Sequence, residues 1–267
     1  MLRAITHRTL RIISPGCIKN PASHLHTTVT NKTANETCDP TPVVVVLCGC
    51  GGLDGTEISE SISLAINLSH HNFYPKFFAP DMEICGVVDH LTKEPDTCGL
   101  PRNALVEGAR LARSSIKSLS DCKALCGEAL IIPGGFGAAR TMSDFASKGA
   151  ECALIPDLKR VIEEFNCEKK PIGTMCIASA LVARVLEGVK VTLGKEGSKE
   201  DWPYAEAIRR VKDMGAKVEE QDVKGVTYCE KYNVYSTPAW MYSRATYHEI
   251  HQGIGNMIAE MKKKIVR

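Results

Sequence analysis

Three loops in the sequence combine glycine with residue types that can act as a nucleophile or carry a proton. They are residues 49–57 (GCGGLDGTE), residues 133–137 (PGGFG) and residues 174–178 (TMCIA). Each loop follows a short apolar run, and such runs are typical of buried parallel strands. Because ligands of open parallel sheets bind beyond the carboxyl ends of the strands, we expect the three loops to build one pocket.

In the third loop, Cys176 stands where an apolar run passes directly into a helical pattern, as in a nucleophile elbow. A thiol at a helix N-terminus faces the positive end of the helix dipole. We therefore expect the dipole to favour the thiolate and to lower the pKa of Cys176. Taken alone, a cysteine in this position is more often a small buried residue than a nucleophile. The two neighbouring glycine-rich loops favour the interpretation of Cys176 as a nucleophile.

Backbone N–H groups beside Cys176 are the expected stabilisers of a developing oxyanion. Gly134 and Gly135 follow a buried strand, and glycine there lets N–H groups turn toward a ligand, alongside the N–H of Ile177. The alternative for the glycines is a tight strand-to-helix turn without a ligand.

Glu57 is the acidic residue that the sequence offers as a general acid and base. It stands at the start of a predicted helix, where it can instead complete a capping box with Asp54. Gly51 and Asp54 in the same loop are further pocket candidates. His90 is another, although a surface or loop-stabilising role is commoner for a histidine in such a segment.

The elements that must position these residues alternate between strand and helix. Buried strands are predicted at residues 43–47, 74–78, 129–132 and 171–175, and later strands at 189–193, 226–229 and 234–236. Helical patterns fall at residues 58–70, 103–113, 154–165, 177–186, 204–214 and 242–264, whereas residues 83–101 favour a hairpin or loop excursion. In the first helix the apolar positions are Ile58, Ile62, Ala65 and Ile66. The alternation predicts an α/β fold with a doubly wound, mostly parallel sheet.

Composition and the amino terminus limit the class of protein. The chain has 267 residues, 44% hydrophobic and 24% charged, which suits one soluble domain. Residues 1–35 contain five Arg or Lys and no Asp or Glu, which indicates a mitochondrial transit peptide; a disordered basic tail is the alternative. We predict a transit peptide and linker over residues 1–40 and a domain over 41–267. Without those basic residues the domain is mildly acidic, so nucleic acid is not an expected partner.

Twelve cysteines are scattered through apolar segments, as at Cys48, Cys85, Cys152 and Cys229, and we expect reduced core residues rather than disulfides. No cysteine pair has the spacing of a zinc knuckle, so no metal is expected. No apolar stretch reaches 18 residues, so no membrane partner is expected.

Taken together, these motifs resemble those of a known family. The PfpI-like members of the class I glutamine-amidotransferase-like superfamily share the first-strand loop with a helical Glu, the PGG turn and the Cys elbow. The likeness to ElbB-type glyoxalases and mitochondrial ES-one protein homologs is closer and spans roughly residues 43–260. It rests on the runs GCGGLDGTE (49–57), FAPD (78–81), DHLTKE (89–94), RN (102–103), PGGFGAA (133–139), KPIGTMCIA (170–178) and TPA (237–239).

The resemblance implies a flavodoxin-like sandwich that forms a homodimer in the mitochondrial matrix. It also implies a glyoxalase or deglycase that acts on a small carbonyl compound such as methylglyoxal without a cofactor. The elbow Cys then falls on Cys176 and the proton-moving Glu on Glu57. Glutamine hydrolysis is not expected, because residues 177–247 contain no His, and Lys195 occupies the region where some relatives place one.

Two further classes of function compete with this enzyme. A non-catalytic redox sensor or interaction protein would use the same exposed thiol. An isomerase or hydrolase of another metabolite is the third class, since one fold hosts many chemistries.

Overall fold

The computed structural model describes residues 39–265 of the chain. Apart from residues 39 and 40, the predicted transit peptide and linker lie outside the described residues. The domain boundary at residue 40 therefore stays a prediction.

A seven-stranded sheet forms the centre of the molecule, in the order β3-β2-β1-β4-β5-β9-β8. Its strands pair in parallel except β8, which runs antiparallel to β9. The strands are β1 (Thr41–Val46), β2 (Phe73–Ala79), β3 (Ile116–Ser118), β4 (Leu130–Ile132), β5 (Ile172–Met175), β6 (Lys190–Val191), β7 (Lys217–Val218), β8 (Thr227–Cys229) and β9 (Val234–Thr237). The predicted mostly parallel α/β fold, of flavodoxin-like type, is confirmed.

The strongest apolar runs form the centre of this sheet, because a strand covered on both faces needs apolar side chains throughout. Val43–Val46 of β1 are fully buried. Two short strands were not predicted. They are β3, at one edge of the main sheet, and β7, which pairs with β6 in a separate two-stranded sheet.

Helices cover the sheet and connect its strands. They are α1 (Ile58–His70), α2 (Ala104–Leu111), α3 (Phe136–Arg140), α4 (Phe145–Lys148), α5 (Pro156–Cys167), α6 (Ser179–Val185), α7 (Glu206–Asp213) and α8 (Tyr247–Ile265). The last helix begins five residues later than predicted, because a 3-10 turn and a loop occupy residues 239–246. No helix of the described part of the chain is long and apolar enough to cross a bilayer.

The buried face of α1 differs from the predicted one. Ile58, Ile62 and Ile66 are 45%, 43% and 53% exposed, so the isoleucine stripe lies on the outside of the helix. The face toward the sheet instead carries Glu60 together with Leu64 and Leu68 at the four-residue helical spacing. This rotation brings Glu60 into the protein interior.

Between β2 and α2, residues 83–101 form a loop excursion. It contains isolated antiparallel β-bridges between Glu83 and Asn103 and between Val88 and Pro95. All ten cysteines of the described residues are free thiols. Cys48, Cys152 and Cys229 are buried as expected, but Cys85 lies in this excursion and is exposed, so its assignment to the core was wrong.

The sheet changes direction between β1 and β4. The chain leaves β1 toward β2 on one side and leaves β4 toward β5 on the other, so a crevice opens where the two connections diverge. The loops after β1, β4 and β5 are the three that the sequence singles out. The fold brings them together at this crevice.

Candidate active site

Cys176 occupies a strained turn between β5 and α6. Its φ is 55°, in the left-handed region that side chains other than glycine adopt at a cost, and a 3-10 turn at Cys176–Ala178 leads into the helix. Behind the turn, the buried hydroxyls of Thr174 and Ser179 lie 3.0 Å apart and tie the strand to the helix. The chain thus turns sharply from strand to helix at Cys176, which is 7% exposed, and the nucleophilic role of this cysteine stays a prediction.

The carboxyl group beside Cys176 belongs to Glu60, which is not among the site residues predicted from the sequence. Glu60 is fully buried and contacts the Cys176 thiol by a side-chain hydrogen bond. Its Oε2 accepts from the N–H of Gly134 at 2.7 Å, and its Oε1 accepts from the N–H of Trp240 at 3.5 Å. Groups from the loops after β4 and β9 therefore fix the carboxyl group against the sulfur.

Burial raises the pKa of Glu60 to about 8, and the charge of Glu57 adds to this, while the bonds from Gly134, Trp240 and Cys176 oppose it. A carboxyl group in this state is mostly protonated at neutral pH. It can therefore both give and take a proton in the physiological range.

The Cys176 thiol does not show the lowered pKa expected from a helix dipole. Its pKa is raised well above the usual value, first by burial and then by the negative charge of Glu60. Hydrogen bonds from the N–H groups of Ile177 and Gly135 act in the opposite direction but do not outweigh burial. The expectation of a thiolate at rest was therefore wrong, and the thiol needs a base to become a nucleophile.

Glu57 caps the N-terminus of α1. Its Oε2 accepts from the N–H of Glu60 and from the hydroxyl of Ser59, each at 2.7 Å. The capping box with Asp54 is not formed, since Asp54 is buried elsewhere and accepts from the N–H of Val88 at 3.0 Å. Glu57 also lines the cavity in front of Cys176, so proton transfer by Glu57 stays a prediction.

The predicted oxyanion donors fall into two groups. The N–H groups of Gly135 and Ile177 are hydrogen-bonded to the Cys176 side chain, and their role as oxyanion donors stays a prediction. The N–H of Gly134 is already bonded to Glu60 and is not free for an oxyanion. The expectation for Gly134 therefore needs correcting.

The absence of a side chain at residue 134 makes this contact possible. A Cβ there would lie 2.5 Å from the Cβ of Cys176 and 2.8 Å from Oε2 of Glu60. Gly135 has a φ of 97°, and a Cβ on it would lie 2.3 Å from the carbonyl oxygen of Gly55. Glycine at both positions lets the β4 loop approach Cys176, Glu60 and the β1 loop closely.

His90 and Gly51 support the first loop from behind. The Nε2 atom of His90 accepts from the N–H of Leu53 at 3.2 Å, and its Nδ1 lies 3.0 Å from the carbonyl oxygen of Val88. These partners assign the neutral tautomer with the proton on Nδ1. Gly51 packs so closely that a Cβ would lie 2.7 Å from Nε2 of His90. Neither His90 nor Gly51 lines the cavity, but His90 is hydrogen-bonded to Leu53, which does.

A cavity of about 280 Å³ opens in front of Cys176. Aromatic and apolar side chains dominate its wall. Most of them were not predicted from the sequence, because they come from loops far apart in the chain. The lining residues are Gly52, Leu53, Glu57, Gly135, Phe136, Cys176, Ile177, Pro203, Tyr204, Trp240, Met241 and Ser243. Lys195 is not among them, and it pairs with Asp222 at 2.6 Å.

One signal in the sequence points to part of this wall. The TPA run at residues 237–239 ends β9 and places Trp240 and Met241 at the same edge of the sheet as Cys176. Trp240 is held there by its Nε1, which donates to the hydroxyl of Ser59 at 2.7 Å. Tyr204 precedes α7 with no comparable motif, so nothing in the local sequence marks it as a pocket residue.

Comparison with known proteins agrees with this architecture. The mitochondrial ES1 protein homolog of Rattus norvegicus is 42% identical over 250 residues, which cover 90% of this chain and 91% of that protein. The human glutamine amidotransferase-like class 1 domain-containing protein 3, mitochondrial, is 42% identical over 222 residues, covering 82% and 81% of the two chains. No model of a known protein family matches the chain.

A solved structure also resembles the whole domain. It is the isoprenoid biosynthesis protein with amidotransferase-like domain from Ehrlichia chaffeensis, 31% identical with a TM-score of 0.74. The match covers 84% of this chain and 99% of that one. The chain thus belongs to the ES1 protein homolog family of glutamine amidotransferase-like class 1 domain proteins, and the resemblance noted in the sequence is confirmed.

Proposed function

We propose that this protein is a cofactor-independent glyoxalase or deglycase that acts on small carbonyl compounds such as methylglyoxal. The observation that carries the proposal is the buried contact of Glu60 with the Cys176 thiol, in which the pKa of the carboxyl group is raised to about 8. In this proposal Cys176 is the nucleophile, and Glu60 rather than Glu57 moves the proton.

In the proposed reaction, the Glu60 carboxylate takes the thiol proton and Sγ attacks the aldehyde carbon of methylglyoxal. The carbonyl oxygen becomes the hydroxyl of a thiohemiacetal, and the N–H groups of Gly135 and Ile177 support the charge that develops on it. A proton then moves from C1 to C2 through an enediol, which oxidises C1 and reduces C2. Water hydrolyses the resulting thioester, so lactate leaves and the thiol is restored without an external oxidant.

The competing sensor role receives less support from this geometry. A low-pKa, accessible thiol is the one that peroxide oxidises first, whereas burial and Glu60 raise the pKa of Cys176. A sensor would oxidise selectively at Cys176 and show no turnover. Peroxide titration with intact-mass analysis distinguishes this outcome from the enzyme.

Turnover of methylglyoxal to lactate by the purified full chain tests the proposal. We expect Cys176→Ala to reduce the rate to background, while Cys98→Ala, which removes an exposed thiol, leaves it unchanged. The preparation must be free of other glyoxalases. A Cys176→Ala protein that works at the original rate would exclude the proposed mechanism, and a folded wild type without turnover would favour the sensor or another metabolite.

We also propose that the protein works in the mitochondrial matrix. The basic segment over residues 1–35 supports this location, and the relatives from rat, human and Danio rerio are named mitochondrial. A fluorescent fusion of the full chain should enter mitochondria, and replacement of Arg3, Arg8 and Arg11 by Glu should prevent import. Import unaffected by these replacements would refute the role of the basic segment.

A further inference from the structure

Two aromatic rings form the wall of the cavity on the side of α3 and α7. The rings of Phe136 and Tyr204 meet edge to face, with centroids 5.6 Å apart and planes at 75°. Both line the cavity together with Cys176. The N–H of Phe136 donates to the carbonyl oxygen of Gly52 at 2.9 Å, which fixes this ring relative to the first loop.

A second hollow, of about 260 Å³, adjoins the first and shares this aromatic wall. It is lined by the guanidinium-bearing side chains of Arg140 and Arg210 and by Glu206. Arg210 is paired with Glu206, with Nη2 and Oε1 at 2.9 Å, and the same oxygen lies 3.7 Å from Nη2 of Arg209. The second hollow therefore keeps the positive charge of Arg140.

Arg140 has no carboxylate within ion-pair distance among residues 39–265. Its guanidinium carbon lies 4.8 Å from the centre of the Phe136 ring, and Nη1 makes one long contact of 3.4 Å with the carbonyl oxygen of Leu53. A guanidinium stacked on a ring keeps most of its N–H donors free in a planar fork. One aromatic side chain thus separates an unpaired cation from the reactive cavity.

Tyr204 provides a second free donor in this region. The residue is 40% exposed, and its hydroxyl has no hydrogen-bond partner within the described part of the chain. Burial and the charge of Cys176 raise the pKa of Tyr204, while Arg140 lowers it. The phenol therefore stays protonated at neutral pH and can donate a hydrogen bond.

We propose that Arg140 and Tyr204 bind an oxyanion of the substrate, a carboxylate or phosphate, while its reactive carbonyl carbon lies at Cys176. The substrate class is then an aldehyde or α-oxoaldehyde with an anionic group at its far end. A guanidinium fork and a hydroxyl match the two or three oxygens of such a group. The carbonyl part of this inference rests on the proposed function, whereas the anion site rests on the two hollows alone.

Alkylation of Cys176 tests the anion site without any turnover. Iodoacetate and iodoacetamide form the same S–C bond with loss of iodide and the thiol proton, but iodoacetate carries a carboxylate. We measure both rates by mass spectrometry on the full chain, with exposed Cys98 as the reference thiol in the same sample. The iodoacetate-to-iodoacetamide ratio should be higher at Cys176 than at Cys98.

Variants decide whether Arg140 and Tyr204 are responsible. We expect Arg140→Gln to lower the iodoacetate-to-iodoacetamide ratio at Cys176 by about tenfold, the factor that corresponds to the loss of one charge-assisted hydrogen bond. Tyr204→Phe should lower the same ratio by about threefold. Lys217→Gln, which removes an exposed charge outside both hollows, should leave it unchanged. The iodoacetamide rate of each variant controls for thiol reactivity and folding. A ratio unchanged by Arg140→Gln would overturn the inference.

Competition and turnover identify the oxyanion. Inorganic phosphate or succinate should protect Cys176 of the wild type from iodoacetate. Stronger protection by phosphate indicates a phosphate group on the substrate, and stronger protection by succinate indicates a carboxylate. Protection by neither anion would overturn the proposed site. If the proposed function holds, 4,5-dioxovalerate should exceed methylglyoxal in kcat/KM, and Arg140→Gln should abolish that preference. Absence of turnover with both aldehydes, together with an intact alkylation preference, would reject the proposed function and retain the anion site.

Discussion

Cys176 and Glu60 form a buried pair in which each group affects the protonation of the other. Burial disfavours both charged forms, and the negative charge of Glu60 raises the pKa of Cys176 further. When the pair loses one proton, the remaining proton can lie on the carboxyl group or on the sulfur. In the proposed mechanism the nucleophile thus arises by proton transfer within the pair, rather than from a thiolate that exists at rest.

Gly134→Ala tests how closely this pair is packed. The new Cβ would overlap the Cβ of Cys176, and that overlap cannot be relieved by rotating a side chain because both atoms are attached to backbone. We expect the free energy of unfolding to fall by about 2 to 3 kcal/mol, the cost of overpacking a rigid core. Turnover should fall as well, since Glu60 loses its position.

Gly188→Ala is the matched control for this substitution. Gly188 has a φ of 72° and nothing within 4 Å of its missing Cβ, so alanine there costs backbone strain without overlap. The expected loss is about 1 kcal/mol, with turnover unchanged. Denaturant unfolding measures the free energy of unfolding of both variants. Equal losses in Gly134→Ala and Gly188→Ala would show that the contact at Gly134 is not tight.

At the scale of elements, the sequence predicts best where side-chain burial is uniform. The runs that became β1, β4 and β5 are apolar and buried almost throughout, so no choice of face was needed. The elbow at Cys176 follows from such a strand passing directly into a helix. The short strands β3 and β7 have two or three residues with mixed burial and therefore no clear signal.

Prediction failed at α1, where two apolar stripes compete. The isoleucines at positions 58, 62 and 66 are more hydrophobic than the face that contains Ser61 and Ser63, yet the isoleucines are exposed. Glu57 was selected instead because it stands at the start of the helix, directly after the glycine-rich loop. The four-residue spacing of Glu60, Leu64 and Leu68 was the signal available, since a buried acid on an apolar face is commonly functional.

Tertiary contacts explain the other gaps in the predicted site. The cavity wall at Phe136, Tyr204 and Trp240 comes from loops after β4, before α7 and after β9. Their meeting depends on the docking of whole elements, which no local pattern encodes. Arg140 was missed for the same reason, since α3 has five residues and its sequence was interpreted as part of a glycine turn.

At the scale of the whole molecule, the exposed face of α1 is a candidate surface for the assembly of two chains. Ile58, Ile62 and Ile66 form a stripe along one face, and Glu60, the acidic residue within α1, is buried. A solvent-facing stripe with this composition is typical of a protein contact. The homodimer implied by the family resemblance stays a prediction, and this stripe is the surface we propose for it.

Light scattering on the purified protein measures the assembly. We expect twice the chain mass for wild type, and the mass of one chain for Ile62→Glu, which places a charge in the middle of the stripe. Lys76→Glu, a charge change on β2, should leave the dimer intact. A monomeric wild type, or an Ile62→Glu protein that remains dimeric, would refute the proposed surface.

The pH dependence of turnover, compared between wild type, Glu60→Gln and Glu57→Gln, tests the Glu60–Cys176 pair most directly. Below its pKa of about 8, Glu60 is protonated and cannot accept the thiol proton, so kcat/KM should rise roughly tenfold per pH unit and level off above about pH 8. Glu60→Gln should lower the plateau of kcat/KM by at least about a hundredfold and remove its rise with pH. Glu57→Gln should keep the rise with pH and keep the plateau within a few-fold of wild type. A pH profile that survives in Glu60→Gln and disappears in Glu57→Gln would contradict the assignment and return the proton to Glu57.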